Sequence, residues 1–235
     1  MTKLAGYRVG SVIHRGYKSI IYRAERESGG ASVILKTLNK ETATSEDRAR
    51  FQHEFEIGSS LESERVVKYL SLEQVGGWPI LVMADCGGRD VRTILSERRL
   101  GLSETLGIGV DAAAALADLY RARIIHKDVK PSNIIYNPET GQSRLTDFGL
   151  AGLVPREAPV FKNPGQLIGT LAYMSPEQTG RMNRFVDWRT DYYSLGVTLY
   201  ELLTGRLPFE SAEALELVHA HLARTPEPPH EVDEN

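Results

Sequence analysis

Hydrophobic and polar positions follow a short period near the start of the chain and a longer one after its first third. Residues 7–13, 20–27 and 31–38 are rich in β-branched and aromatic side chains, and Ser28-Gly29-Gly30 between the last two supplies hairpin chemistry. Residues 66–74 and 79–83 repeat this pattern around Gly76-Gly77, which predicts two more strands. Between the two groups, Phe51, Phe55 and then Ile57 to Leu61 recur near helical spacing on a charged background, with Thr44 or Ser45 able to cap the start. After Cys86-Gly87-Gly88 the pattern turns helical: residues 90–97, then 103–121 with an alanine-rich face and Ser103 as its cap. Residues 134–146 read as strand broken by Asn137-Pro138 and Gly141. From 147 to 177 there is little regular pattern, and a stretch of that length is too long for a mere connector, so a functional segment is expected. A strongly apolar helix at 188–203 and an amphipathic one at 211–224 follow, the latter stopped by Pro226, Pro228 and Pro229. The predicted class is α+β, with a small antiparallel sheet plus one helix over residues 1–85 and a mainly helical part over 86–235.

Composition narrows the function. With 41% apolar and 25% charged residues the chain has enough apolar material for a folded core, and its net charge of −3 gives no basic excess for a nucleic-acid backbone. Nucleic acid is therefore not an expected partner. The lone Cys86 excludes an intramolecular disulfide and fits a reducing compartment. No apolar run approaches about 18 residues, and the first residues hold no signal-peptide core, so no membrane association and a cytoplasmic location are expected.

The strongest chemical signal is His126-Lys127-Asp128-Val129-Lys130-Pro131-Ser132-Asn133, followed fourteen residues after Asn133 by Asp147-Phe148-Gly149. Phosphoryl transfer needs a carboxylate to take the acceptor hydroxyl's proton, oxygen ligands for Mg²⁺ and a cation over the moving group. The two motifs resemble the catalytic loop and metal-binding turn of protein kinases. The resemblance implies a two-lobed kinase fold, with lobes meeting at Gly87-Gly88. It gives Asp128 the base role, Lys130 the cation, and Asn133 and Asp147 the metal. It also implies a strand lysine paired with a helix glutamate: Val33-Ile34-Leu35-Lys36 supplies the first, and Glu54 the second, with Glu56 as rival. Gly169-Thr170-Leu171-Ala172-Tyr173-Met174-Ser175-Pro176-Glu177 resembles the end of an activation segment, the platform for a protein substrate, with Ser175 in place of the usual Ala. Lys130 and Thr170 match the version that acts on serine and threonine. Asp191-Tyr192-Tyr193-Ser194-Leu195-Gly196 is similar to the helix whose Asp anchors the catalytic loop. Residues 169–180, 184–191 and 216–221 look like one bacterial group, the kinase modules that open large proteins continuing into an AAA-type ATPase and a sensor histidine kinase; such downstream signalling domains would lie outside this chain.

For ATP, the resemblance implies contacts from Ile13, Gly16, Ile21, Ile34, Lys36, Met83 as gatekeeper, the backbone of Ala84 and Cys86, Asp90 toward the ribose, Ile135 and Asp147. The phosphate loop departs from the family: His14, Gly16 and Ser19 stand where Gly-x-Gly-x-x-Gly is usual. That motivates an alternative, a pseudokinase or nucleotide-sensing scaffold, which the full set of Lys36, Asp128, Asn133 and Asp147 argues against. Ile34 replaces the usual Ala above the adenine. His126 is expected to pack under Phe148, Cys86 to fill space, and His219 and His221 to be solvated on opposite sides of a helix. Lys127 replaces the family's arginine and residues 149–169 hold no Ser, Thr or Tyr, so control by phosphorylation of that loop is not expected. Gly58 should loosen the helix that carries Glu54. The chain is expected to be a kinase domain cut before its last helices, leaving Glu177 without the arginine the family pairs with it.

Overall fold

The structure, a computed structural model, describes residues 3–4, 6–153, 171–182 and 184–232. Two compact units are present: Met1–Gly88 with Asp147–Leu150, and Arg89–Thr146 with Ala151–Asn235.

The first unit is an antiparallel sheet of order β1-β2-β3-β4-β6-β5, with β1 Lys3–Leu4, β2 Tyr7–Arg15, β3 Ser19–Arg26, β4 Ser32–Leu38, β5 Tyr69–Val75 and β6 Trp78–Ala84. Alternation along the strands places Tyr7, Ala24, Val33, Leu35, Ile80 and Val82 together in one core cluster. Gly76 and Gly77, at φ of 58° and 77°, give the hairpin turn between β5 and β6 the two left-handed residues that its strand twist demands. The strand expected at 66–74 begins only at Tyr69; Val66 and Val67 are buried but precede it.

Helix α1, Ser45–Ser60, starts at Thr44, whose hydroxyl accepts from the Asp47 amide while the Asp47 carboxylate takes the Thr44 N–H. Lys18, in the turn between β2 and β3, reaches the same carboxylate at 2.6 Å, so one aspartate both starts the helix and holds that turn. On leaving β6 the chain is fixed by Asp85, which accepts from Arg23 Nε (2.7 Å), Ser32 Oγ (2.9 Å) and the Gly87 amide (3.0 Å).

In the second unit, α2 (Val91–Glu97), α3 (Leu102–Arg121), α4 (Arg189–Thr204), α5 (Ala214–Ala223) and the one-turn α6 (Pro229–Val232) accompany two small sheets. One has order β10-β9-β7, with β7 Arg89–Asp90, β9 Ile134–Asn137 and β10 Gln142–Leu145; the other pairs β8 Ile124–Ile125 with β11 Gly152–Leu153. Ile94, Ile108, Ala112, Val129, Ile134 and Leu195 share its main core. Gly109 lets α3 and α4 approach, since a Cβ there would sit 2.9 Å from Leu199.

Three expectations need correction. Ser103 does not cap α3; the cap is Gly101, whose N–H is taken by the Glu104 carboxylate, so a carboxylate reaching back replaces the hydroxyl. The helix expected at 211–224 spans only Ala214–Ala223; it ends ahead of Pro226 as expected, and Pro229 opens α6, where a missing N–H costs nothing. His221 is buried rather than solvated: its Nδ1 lies 2.8 Å from the Tyr193 hydroxyl and its ring meets Phe209 edge-on, and burial pushes its pKa down. His219 is exposed. The Glu177 carboxylate accepts from Thr190 Oγ1 at 2.7 Å and, among the described residues, forms no ion pair with an arginine. Gly169, Thr170 and most of the 149–169 loop lie outside the described residues. Among the described residues no helix is long and apolar enough to cross a membrane.

Candidate active site

Two clusters of charged side chains form, one in each unit. In the first, β4 carries Lys36 and α1 carries Glu54, and both are buried. Lys36 Nζ lies 2.8 Å from each Glu54 oxygen and 3.3 Å from Asp147 Oδ1. Burial opposes the charge on Lys36, but Asp147 and Glu54 overcome it and hold the ammonium above its ordinary pKa. Burial pushes the Glu54 carboxyl up, with Lys36 opposing and Asp147 adding to the rise. Glu56, the rival, bonds Gln52 on the exposed face of α1. Asp147 adopts φ +69°, a left-handed backbone rare for a residue with a side chain, and keeps 40% of that side chain exposed. A half-open carboxylate beside a cation is a suitable oxygen donor for a hard divalent ion.

Among the nucleotide-binding candidates in this unit, Ile34 is paired directly with Met83, and Ile21 with Lys36, across the sheet. Met83 is buried, Ile21, Ile34 and Cys86 are half-buried, and Ile13 is exposed. Gly16 closes the β2–β3 turn by donating to Ser19 O at 2.9 Å. The Ala84 N–H is already given to Lys68 O.

In the second unit, Lys130 Nζ lies 2.9 and 2.7 Å from the two Asp128 oxygens. Asn133 donates through Nδ2 to both the Asp128 carbonyl (2.8 Å) and its carboxylate (2.9 Å), which turns Asn133 Oδ1 the other way, as an oxygen ligand for Mg²⁺ would require. The 3₁₀ turn Pro131–Asn133 makes this possible, because it folds Asn133 back on the residue five before it. Asp191, at the start of α4, accepts from the amides of His126 and Lys127, each at 2.7 Å. Burial pushes its carboxyl up against the pull of His126 and those N–H groups. Lys127 is left-handed at φ +66°, a strained backbone held by the Asp191 bonds and by Gln178 donating to its carbonyl at 3.0 Å. The fully buried His126 contacts Thr146 O through Nε2 and accepts from the Asp128 amide at Nδ1, a structural pattern. Ile135 is half-buried on β9. Asp90 caps α2, its oxygens taking the Thr93 amide and hydroxyl.

Sequence reasoning missed Tyr69, whose hydroxyl donates to Glu54 Oε1, as well as the Asp85 anchor and Gln178. No local spacing marks them, since their partners are distant along the chain.

A fold of sheet plus helix followed by a helical unit, carrying a Lys–Glu ion pair and an Asp-Lys-Asn loop, defines the class, and the chain matches the protein kinase domain family over residues 7–232. It belongs to that family. It is 35% identical over 232 residues to the serine/threonine-protein kinase pkn3 of Myxococcus xanthus, covering 95% of this chain and 42% of that protein. It is 33% identical over 231 residues to the probable serine/threonine-protein kinase CE0033 of Corynebacterium efficiens (96% and 34%), and 34% identical over 218 residues to the serine/threonine-protein kinase PknL of Mycobacterium tuberculosis (92% and 53%). The chain thus spans about half or less of the length of these relatives.

Proposed function

We propose that this chain is a bacterial serine/threonine protein kinase that transfers the γ-phosphoryl group of Mg-ATP to hydroxyls of a protein substrate. The observation that carries the reading is the Asp128 carboxylate, held by both Lys130 and Asn133. Asp128 accepts the acceptor hydroxyl's proton as its oxygen bonds to the γ-phosphorus and the bond from that phosphorus to ADP breaks. Lys130 offers positive charge to the transferring group, and Lys36, oriented by Glu54, binds the nucleotide's phosphates. Asp147 in the first unit and Asn133 in the second are the oxygen donors suited to Mg²⁺. When bound, the metal ion neutralises phosphate charge. The named relatives support Ser/Thr as the acceptor. A cytoplasmic role in signal transduction, beside further signalling domains, is part of the same reading. Incubation with γ-labelled ATP, Mg²⁺ and casein tests it: label should appear on serine and threonine with the parent chain and be lost with Asp128→Asn. Equal labelling by both would overturn the assignment.

A further inference from the structure

Tyr69 opens β5, and the mechanism above gives it no part. Its ring lies against the backbone of α1 at Gly58, so closely that a Cβ at Gly58 would fall 2.5 Å from a ring carbon. Gly58 is thus more than a loosening of the helix: the ring occupies the space a side chain would take. From this seat the Tyr69 hydroxyl donates to Glu54 Oε1 at 2.9 Å and accepts from the Asp147 amide at 3.3 Å. A hydroxyl has one proton and two lone pairs, so both bonds form at once. The same ring meets Phe148 at 5.8 Å between centroids, tilted by 59°.

Lys36 joins Glu54 and Asp147 by charge, which is weakly directional. The hydroxyl joins them by directed bonds, to a carboxylate on the helix and to the backbone of the turn. Leucine or valine at position 69 could fill space but would make neither bond. We propose that Tyr69, seated by Gly58, is a positioning residue for phosphoryl transfer that ties the helix carrying Glu54 to the Asp147-Phe148 turn. The inference rests on the kinase reading for its catalytic consequence, while the tie itself is physical and can be read separately.

The test uses the full chain with Tyr69→Phe, Gly58→Ala and the double variant Gly58→Ala/Tyr69→Leu, followed by casein phosphorylation and amide hydrogen exchange. Losing a hydrogen bond to a charged group should lower kcat about tenfold in Tyr69→Phe, with KM for casein unchanged, and speed exchange about tenfold in peptides spanning 145–150 but not in β2 or β3. Gly58→Ala should speed exchange in α1 by displacing the ring; the double variant should regain that protection without regaining kcat. The proposal is overturned if Tyr69→Phe keeps kcat and exchange within about twofold of the parent, or if exchange rises equally throughout the unit, as a general loss of packing would produce. A parent chain that transfers no phosphate sinks the kinase reading instead, and the exchange comparison still decides whether Tyr69 ties helix to turn.

Discussion

In the second unit, the groups that meet Asp128 lie 2 and 5 residues along the same loop, whereas in the first Lys36 finds Glu54 at a separation of 18 and Tyr69 bonds the Asp147 amide at 78. The loop cluster is held by its own turn and by anchors on the flanking loop backbone, Asp191 and Gln178. The sheet cluster exists only while α1, β4, β5 and the Asp147 turn keep their places. On the proposed reading, the proton-accepting side of the chemistry is built in as the loop folds, and the phosphate-orienting side depends on the setting of a helix. The Lys36–Glu54 pair spans a strand and a helix, so its geometry follows the placement of α1, and residues 149–169 hold no Ser, Thr or Tyr.

Four measurements test this contrast. The largest effect is expected at the loop cluster: Asp128→Asn should lower turnover by about 100- to 10,000-fold, the usual worth of positioned proton transfer, with an unchanged melting temperature. A variant retaining near-parental turnover would remove Asp128 from the chemistry. Next comes the sheet cluster, where Glu54→Gln leaves the buried Lys36 with Asp147 alone. It should destabilise the protein by about 3 kcal/mol in urea unfolding, the lower end for a broken buried pair, and also reduce turnover. Loss of turnover with no loss of stability would show that the pair contributes orientation only. Asp191→Ala should cost about 2 kcal/mol by leaving the His126 and Lys127 amides without their acceptor; if exchange at those amides does not rise, the anchor role is wrong.

The smallest effect is a pH dependence in the second unit. Burial lowers the pKa of His221 below its ordinary 6.5, so its neutral form favours the fold. Stability from this residue is complete above pH 6.5 and is lost as the pH falls below it toward the folded-state pKa. The slope cannot exceed about 1.4 kcal/mol per pH unit for one proton. Urea titrations between neutral and mildly acidic pH should show this loss in the parent and a shallower one in His221→Phe; parallel curves would contradict it.

The contrast also explains what could be read from the sequence. The Asp128, Lys130 and Asn133 cluster was legible because its members are near neighbours in one motif, and each residue type matches a step of phosphoryl transfer. Glu54 was legible through its family resemblance and helical setting; geometry separates it from Glu56 by placing them on opposite faces of α1. Tyr69 was not legible, because a tyrosine at the start of a strand is an ordinary β residue until the fold brings Gly58, Glu54 and Asp147 to it. Ser103 misled because serine is a favoured helix cap, while the Glu104 carboxylate reaching back to Gly101 was the stronger partner.

The ring of Tyr69 can also be regarded as a removable plug. Cutting it back to glycine would leave, beside Gly58, a vacancy the size of a phenol, with Glu54 Oε1 and the Asp147 amide on its rim. Cavities left by deleted apolar bulk take up small aromatic molecules from solution, and here the polar rim adds a requirement for a hydroxyl. p-Cresol carries the same ring and hydroxyl as the deleted side chain, and toluene carries the ring alone. A Tyr69→Gly chain revived by p-cresol and not by toluene would be an enzyme with a chemical ignition key, turned on at will by a molecule that never touches the phosphate.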